Sequence, residues 1–336
     1  MIATRPLLEV KDLVVEYGSV RAVDRVSLAV APGEFLAIVG ESGCGKSTLL
    51  FAIARLLSPP ARIVSGDVHF QGKDMVTLDE DELRHVRWRH YSVVMQSAMN
   101  ALNPVLTIGA QLRDAIKAHE DMPDSKIRAR SEELMRLVGI DPVHLKSYPH
   151  QLSGGMRQRS MIAMALVFTP ELVIMDEPTS ALDVVAQRSL MLQIKELQKK
   201  IGFAAIFVTH DMSLVSHFSD RLAVMYAGQV MEVGPTNKVF SDPKHPYSSG
   251  LLGSFPSIRG PRELLAGIPG SPPDLAHPPA GCRFNPRCPQ VMPHCRTIEP
   301  PFYKREDVDI RCHLFSEGSP RNLAAGSDFV GKSDGR

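Results

Sequence analysis

The residues with the clearest chemistry lie in one glycine-rich segment near the start of the chain, Gly40-Glu-Ser-Gly-Cys-Gly-Lys-Ser-Thr48. The pattern G-x-x-x-x-G-K-[ST] forms a loop whose backbone N–H groups surround phosphate oxygens, and the helix that follows contributes its positive N-terminal end. Lys46 is expected to reach the β- and γ-phosphates of a nucleoside triphosphate, and Ser47 to ligate Mg²⁺. The residues expected to bind the nucleotide here are Gly40, Ser42, Gly43, Cys44, Gly45, Lys46, Ser47 and Thr48.

Two acidic residues supply the hydrolytic chemistry that a phosphate loop lacks. Asp176 and Glu177 follow the apolar run Leu172–Met175, so they are predicted to lie at the carboxyl end of a buried strand, where open α/β sheets bind ligands. Asp176 is expected to hold Mg²⁺ through water. Glu177 is expected to act as general base on an attacking water.

Two further polar residues end apolar runs and are predicted to lie on the same edge of the sheet. Gln96 follows Val93–Met95, and its amide is expected to reach Mg²⁺ or the attacking water. His210 comes shortly after Ala204–Val208 and is expected to contact the γ-phosphate. The predicted catalytic residues are therefore Lys46, Gln96, Glu177 and His210, and the predicted magnesium residues are Ser47, Gln96 and Asp176.

A parallel sheet is needed to position these residues. Phe35–Val39 and Ala204–Val208 are apolar throughout, as in strands that are buried on both faces. Leu8 to Val15 and Val26 to Val30 instead alternate, which predicts an antiparallel pair, and residues 97–151 are helical in character. The sequence therefore predicts an α/β protein in which strands and helices alternate.

Local patterns predict three more elements around this sheet. A helix from about Lys46 to Leu57 is predicted to follow the phosphate loop, and Asp67–Phe70 to form a short strand. Arg221–Val233 is predicted to form a hairpin around Ala227-Gly228.

Composition excludes some classes of function. The 336 residues include 38 Lys and Arg and 37 Asp and Glu, a formal net charge of +1, which argues against a general nucleic-acid-binding protein. No apolar run approaches the roughly 18–20 residues that span a bilayer. Met1–Glu16 carries charges and lacks the apolar core of a signal peptide. We therefore expect a cytoplasmic chain that could still dock on a membrane protein.

The most specific motif is Leu152-Ser-Gly-Gly-Met-Arg-Gln-Arg159. With it, the chain resembles the ATP-binding-cassette (ABC) ATPases. The motifs that carry the resemblance are, in chain order, Gly40–Thr48, Gln96, Leu152–Arg159, Leu172–Glu177, Ser180–Asp183 and His210. The resemblance implies the P-loop ABC ATPase fold, with an antiparallel β subdomain and a helical subdomain, and ATP as the nucleotide. It also implies that Tyr17 stacks on adenine, and that a second ATPase subunit presents its ATP to Ser153, Gly154, Gly155 and Asp183.

Four further segments narrow the resemblance to the ATPase subunits of dipeptide and oligopeptide importers. They are Tyr148–Met156, Ser97–Pro104, His245–Tyr247 and Gly281–Cys288, and the similarity spans about residues 7–315. One departure is Ser97-Ala98, where the family usually has Asp-Pro, in the loop that faces the membrane subunit.

The narrower resemblance implies an energy-coupling subunit on the cytoplasmic face of the inner membrane. Its partners would be a second cassette, expected to be a different chain, two permease subunits and, indirectly, an extracytoplasmic binding protein. Relatives that import nickel or oligosaccharides leave the substrate open. A soluble ABC ATPase acting on DNA or ribosomes is the rival class, but such proteins carry a coiled-coil insertion or two cassettes, and this chain has neither.

Four cysteines, Cys282, Cys288, Cys295 and Cys312, cluster late in a proline-rich stretch. In a cytosolic chain, clustered cysteines indicate metal ligands before disulfides. Four thiolates suit either zinc or an iron–sulfur cluster, although the spacing is not the paired C-x2-C of zinc ribbons. Free or disulfide-bonded thiols are the third alternative. The resemblance to the importers implies a [4Fe–4S] cluster, which would staple loops that have little core of their own.

The predicted division of the chain has three parts. Residues 1–235 form the ABC ATPase domain, with the helical subdomain at about residues 97–160. Residues 236–315 form a Cys/Pro-rich C-terminal extension of the peptide-importer type, and the Gly/Ser-rich residues 316–336 are predicted to be a disordered tail.

Overall fold

The computed structural model describes residues 5–96, 101–180, 182–254 and 267–316. The strands of these residues are, in chain order, β1 (Leu8–Tyr17), β2 (Val20–Val30), β3 (Phe35–Val39), β4 (Ala61–Phe70), β5 (Lys73–Asp74), β6 (Tyr91–Val94), β7 (Leu172–Asp176), β8 (Ala204–Val208), β9 (Arg221–Tyr226), β10 (Gln229–Pro235), β11 (Tyr303–Arg305) and β12 (Val308–Ile310). The α-helices are α1 (Lys46–Ile53), α2 (Glu80–Val86), α3 (Ile108–Lys117), α4 (Asp124–Leu137), α5 (Gly154–Ala165), α6 (Val184–Ile201), α7 (Met212–Phe218), α8 (Thr236–Ser241) and α9 (Pro246–Gly253). Short 3₁₀ helices cover Pro142–Lys146, Pro149–Gln151, Asn285–Arg287, Pro293–Arg296 and His313–Phe315.

The larger sheet positions the predicted chemistry. Its strand order is β11-β12-β10-β9-β3-β8-β7-β6, and the strands from β9 to β6 run parallel. Every residue of β3, β7 and β8 is buried, as their unbroken apolar sequences predict. The carboxyl ends of β3, β6, β7 and β8 therefore lie on one edge, directly before the phosphate loop, Gln96, Asp176-Glu177 and His210.

Strand β3 divides the core into two layers. Because successive side chains of a strand point to opposite faces, Leu36 and Ile38 pack with α1 and the smaller sheet. Phe35, Ala37 and Val39 pack on the other side, with the helices and with the C-terminal segment, residues 267–316. The smaller sheet is antiparallel, with order β2-β1-β4-β5, which confirms the predicted antiparallel pair.

Three boundaries differ from the sequence expectation. Helix α1 ends at Ile53, not Leu57, and Arg55 takes a positive φ of 54° after it. Strand β4 begins at Ala61 because it pairs with β1 along its whole length. The hairpin around Ala227-Gly228 continues to Pro235.

The C-terminal segment is built from short 3₁₀ helices, as its prolines require, and from one small hairpin. That hairpin joins the main sheet, because β12 pairs with β10 through Glu232 opposite Ile310 and Val233 opposite Asp309. Of residues 316–336, predicted to be a disordered tail, only Ser316 lies within the described residues. Within the part of the chain that the structure describes, no helix is long and apolar enough to cross a bilayer.

Candidate functional site

Backbone crowding explains the glycines of the phosphate loop. A Cβ on Gly40 would lie 2.2 Å from the Met225 carbonyl oxygen, and one on Gly45 would lie 2.2 Å from the Ala22 carbonyl oxygen. Gly45 also has a φ of 102° and stands immediately before α1, with no side chain capping the first turn of that helix. The first-turn N–H groups of α1 are thus left to an anion, and phosphate fits them.

Lys46, Ser47 and Asp176 lie at the floor of this loop. The buried Lys46 ammonium donates to the Gly40 and Glu41 carbonyl oxygens at 2.9 and 2.8 Å. Burial raises the pKa of Asp176, and the hydrogen bond from the Ser47 hydroxyl opposes this shift. Asp176 Oδ1 is buried with no hydrogen-bond partner among the described residues. An orphaned carboxylate oxygen beside a serine hydroxyl is a donor set that fits Mg²⁺.

The Glu177 side chain, which follows β7, lies close to side chains that follow β6 and β8. Its Oε2 accepts a 2.7 Å hydrogen bond from Gln96 Nε2, and its Oε1 lies 3.6 Å from His210 Nδ1. The Glu177 backbone is in the left-handed region, with φ at 45°, and its N–H donates to the Val208 carbonyl oxygen. The structure thus brings together three side chains that lie up to 114 positions apart, between Gln96 and His210.

Tyr17 lies beside the same loop. It is 37% exposed, and its hydroxyl is 3.5 Å from the Thr48 hydroxyl. A partly exposed ring next to the phosphate loop is placed to take the flat face of a base.

The second group of predicted residues begins two helices. Ser153 caps α5 by accepting from the Met156 N–H, and Asp183 caps α6 by accepting from the Ala186 N–H. A Cβ at Gly155 would meet nothing within 4 Å. In the described residues, no hydrogen bond or ion pair joins these caps to the phosphate loop of the same chain. The fold of the single chain therefore does not explain the glycine at 155.

Helix α5 is tied to the catalytic edge by one buried amide. Gln158, 4% exposed, donates its side-chain N–H to the Pro178 carbonyl oxygen, directly after Glu177. Gln187 of α6 donates to the neighbouring Thr179 carbonyl oxygen at 3.0 Å. The helices that carry Ser153 and Asp183 thus hold the loop after the general-base candidate. The sequence reasoning missed both glutamines, although Gln158 lies inside the predicted motif.

The four late cysteines line one small cavity together with His245, Phe284 and His313. Burial raises the pKa of the Cys282 thiol to about 11 and that of Cys312 to about 12. Thiols this basic ionise only next to a strong positive charge such as a metal. No disulfide is formed by the cysteines of the described residues. In the same residues, no three His, Cys, Asp or Glu side chains converge closely enough to hold a single metal ion.

Comparison with known proteins decides the family. The ABC transporter model matches residues 23–180, and the model of the oligopeptide/dipeptide transporter C-terminal region matches residues 231–295. The oligopeptide transport ATP-binding protein OppD of Bacillus subtilis is 44% identical over 331 residues, which cover 96% of this chain and 92% of that protein. The chain belongs to the ABC transporter ATPases, in their oligopeptide/dipeptide group. The dipeptide transport ATP-binding protein DppD of Haemophilus influenzae is 42% identical over 322 residues, covering 94% of this chain and 98% of that protein.

Solved structures confirm the ABC ATPase fold. The dimeric structure of a bacterial ABC transporter cassette is 29% identical, covers 68% of this chain and 98% of its own, and superposes with a TM-score of 0.61. A dimeric post-hydrolysis structure of that cassette, bound to ADP and Pi, is 30% identical with the same TM-score and the same coverage. This ABC ATPase therefore has the predicted mixed α/β cassette, and ATP is its expected nucleotide.

Proposed function

We propose that this chain is the ATP-hydrolysing, energy-coupling subunit of a bacterial importer for dipeptides and oligopeptides. The observation that carries the proposal is that the likeness extends beyond the cassette. Residues 231–295 match a C-terminal region described for oligopeptide and dipeptide transporters, and relatives named for dipeptide or oligopeptide transport match along almost the whole chain. A cassette match alone would not favour a peptide over any other cargo.

The proposed ATP site uses the phosphate loop and the edge of the parallel sheet. The N–H groups of residues 40–48 and Lys46 would hold the phosphates, and Tyr17 the base. Ser47 and Asp176, with Gln96, would hold Mg²⁺, which offsets phosphate charge and orients the γ-phosphate when bound. Glu177 would accept the proton of the attacking water, while Gln96 and His210 fix the direction of its carboxylate.

The proposed assembly places two cassettes face to face. Ser153, Gly154, Gly155 and Asp183 would meet the nucleotide held by the partner cassette, which we propose to be a different chain. This placement is supported by the open space around Gly155 and by the solved dimeric cassettes. Two permease subunits would dock near Gln96, through residues 97–104, of which 97–100, with the Ser97-Ala98 departure, lie outside the described residues. The complex would sit on the cytoplasmic face of the inner membrane and take cargo from a binding protein outside.

We further propose that Cys282, Cys288, Cys295 and Cys312 hold a [4Fe–4S] cluster. The proposal is supported by the donor set, because four thiols line one cavity in a segment of short 3₁₀ helices. A cluster keeps its thiolates farther apart than four ligands on one zinc ion, with Zn–S bonds of about 2.3 Å. In the described residues no three such side chains converge on a single metal ion, so the proposal of a cluster rests on the donor set and on the resemblance to the peptide importers. Zinc stays the alternative.

Uptake by the reconstituted importer tests the function. The chain would be assembled with its partner cassette and permeases in vesicles, with the binding protein outside, and offered labelled dipeptide, longer peptide, nickel or oligosaccharide. ATP-dependent uptake of peptide that stops in Glu177→Gln is the expected result. Uptake of nickel or oligosaccharide without peptide would reassign the cargo. ATP hydrolysis stimulated by DNA or ribosomes, without uptake of any solute, would point to the soluble class instead.

A further inference from the structure

The C-terminal extension contacts the phosphate loop through the buried side chain of Arg287. The guanidinium of Arg287, whose side chain is 6% exposed, forms two parallel bonds with the Glu41 carboxylate, at 2.7 and 3.0 Å. Glu41 is the second residue of the phosphate loop. Its partner lies 246 positions later, immediately before Cys288. Bidentate arginine–carboxylate pairs fix both distance and orientation, unlike a single contact of a lysine.

Arg287 is itself rigidly held. Its guanidinium also donates to the carbonyl oxygens of Ile268, Pro269 and Gly270, at 3.3, 2.8 and 3.2 Å, and to the Tyr226 hydroxyl at 3.3 Å, with some N–H groups shared between acceptors. A side chain fixed at so many points loses little further entropy when it binds Glu41. The ion pair is therefore a rigid connection between the C-terminal extension and the phosphate loop. It differs from mobile surface ion pairs, which contribute little to stability.

A second contact reaches the backbone of the same loop residue. The Glu41 N–H donates to the hydroxyl of Tyr247 at 3.0 Å, and Tyr247 is fully buried. Its ring packs against Tyr226 and Phe284, with centroids 4.5 and 5.4 Å away, and Phe284 lies two residues after Cys282. The extension thus fixes both the side chain and the N–H of Glu41.

The nucleotide-binding lysine contacts the carbonyl side of the same residue, Glu41. Lys46 Nζ donates to the Glu41 carbonyl oxygen at 2.8 Å. The orientation of residue 41 therefore depends on the extension at its N–H and on Lys46 at its carbonyl. Since a phosphate loop works by presenting preset N–H groups and a lysine to the phosphates, a shift of this residue changes the site directly.

We propose that Arg287 and Tyr247 are positioning residues for ATP binding, so that the C-terminal extension is a working part of the nucleotide site of this ATPase. The inference does not depend on the transported cargo or on what the four cysteines hold. It requires only that the chain binds ATP through its phosphate loop.

The test compares four single variants of the purified full-length chain with two matched controls. Arg287→Met removes the ion pair, and Lys238→Met removes a different ion pair, with Glu306 and Asp307, away from the loop. Tyr247→Phe removes only the hydroxyl, and Tyr91→Phe removes another buried hydroxyl, which donates to the Ala54 carbonyl oxygen. Glu41→Gln and Arg287→Lys weaken the pair without removing its hydrogen bonds altogether. Titration calorimetry gives the ATP Kd, and the assembled importer gives kcat and KM.

We expect Arg287→Met and Tyr247→Phe to raise the ATP Kd by about five- to tenfold. KM should rise by the same factor while kcat stays within about twofold, because the loss is in uniform binding. Glu41→Gln should weaken ATP binding in the same direction, and Arg287→Lys should fall between wild type and Arg287→Met. The two controls should keep the wild-type Kd.

Two outcomes would overturn the proposal. One is an ATP Kd equal to that of the wild type in both Tyr247→Phe and Arg287→Met, provided that circular dichroism shows Arg287→Met to be folded. The other is an equal rise of Kd in the controls, which would mean that general destabilisation is responsible. If Arg287→Met does not fold, Tyr247→Phe and Glu41→Gln decide the matter on the same readings.

Discussion

The side-chain N–H of Gln96 donates to Glu177 Oε2 at 2.7 Å, which links the ends of two neighbouring parallel strands. His210 Nδ1 lies 3.6 Å from the other oxygen of the same carboxylate. The Glu177 carboxylate is therefore held between groups on its two sides, and its backbone is fixed to β8 through the Val208 carbonyl oxygen. A carboxylate aimed in this way is suited to orient one water molecule.

Glu177→Gln is expected to bind ATP with unchanged affinity and to hydrolyse it about 10²–10⁴-fold more slowly. The amide keeps the shape of the side chain but cannot accept the proton. Calorimetry for binding and phosphate release for turnover measure the two effects. Glu171→Gln is the matched control, because Glu171 immediately precedes the amino end of β7, where it lies beside His90. Normal turnover in Glu177→Gln would show that another group is the base.

Ser153→Arg is expected to stop ATP turnover in the assembled importer while leaving ATP binding by the isolated chain intact. Ser153 caps α5, so the isolated chain should lose about 1 kcal/mol of stability. Thermal unfolding, ATP titration and turnover separate the three effects.

Gly155→Ala is the companion change. Because its Cβ would meet open space in the chain, the thermal midpoint should not fall, yet turnover of the assembled importer should. If either variant greatly weakens ATP binding by the isolated chain, Ser153 and Gly155 contact the nucleotide of their own chain and not that of the partner cassette.

The edge of the parallel sheet was predictable because each of its polar residues follows an apolar run, and such runs end on one side of a parallel sheet. The contact between Glu41 and Arg287 was not. It joins residues 246 positions apart, one in a loop and one in a 3₁₀ helix, where no periodicity marks a partner. The end of α1 at Ile53 was also missed, because Leu56 and Leu57 continue the apolar pattern after the helix has stopped.

Asp24 provides a pH-dependent test of the contact between the β subdomain and the extension. It is 1% exposed and accepts from Arg283 at 2.6 Å and from Gln229 at 2.8 Å. Burial raises the pKa of Asp24, but the bonds and charges of Arg25, Arg283 and Gln229 outweigh it and hold the pKa at about 2. Asp24→Asn should lower the free energy of unfolding by about 3–5 kcal/mol, because it leaves the buried Arg283 without its counter-charge.

The sign of the pH effect follows from the lowered pKa. The stabilisation by Asp24 is fully present above the ordinary carboxyl pKa of 3.8 and is lost as the pH falls toward about 2. Urea unfolding over this range should therefore show a smaller loss of stability in Asp24→Asn than in the wild type. Asp67→Asn, at an exposed carboxylate of β4, is the control and should follow the wild type. Equal slopes in all three proteins would contradict the assignment.

The cysteine site makes the last prediction. Protein purified without oxygen should be brown and carry about four irons per chain, because four thiolates at one cavity suit a [4Fe–4S] cluster. Serine at any one of Cys282, Cys288, Cys295 or Cys312 should reduce the colour, the iron content and the yield. Cys44→Ser is the control: Cys44 lies in the phosphate loop, bonded to Lys46, and its loss should leave the iron unchanged. Colourless protein with one zinc per chain would exclude the cluster but would keep the role of the four cysteines as ligands of a structural metal. Metal-free protein with four titratable thiols and an ordered C-terminal extension would exclude both metals.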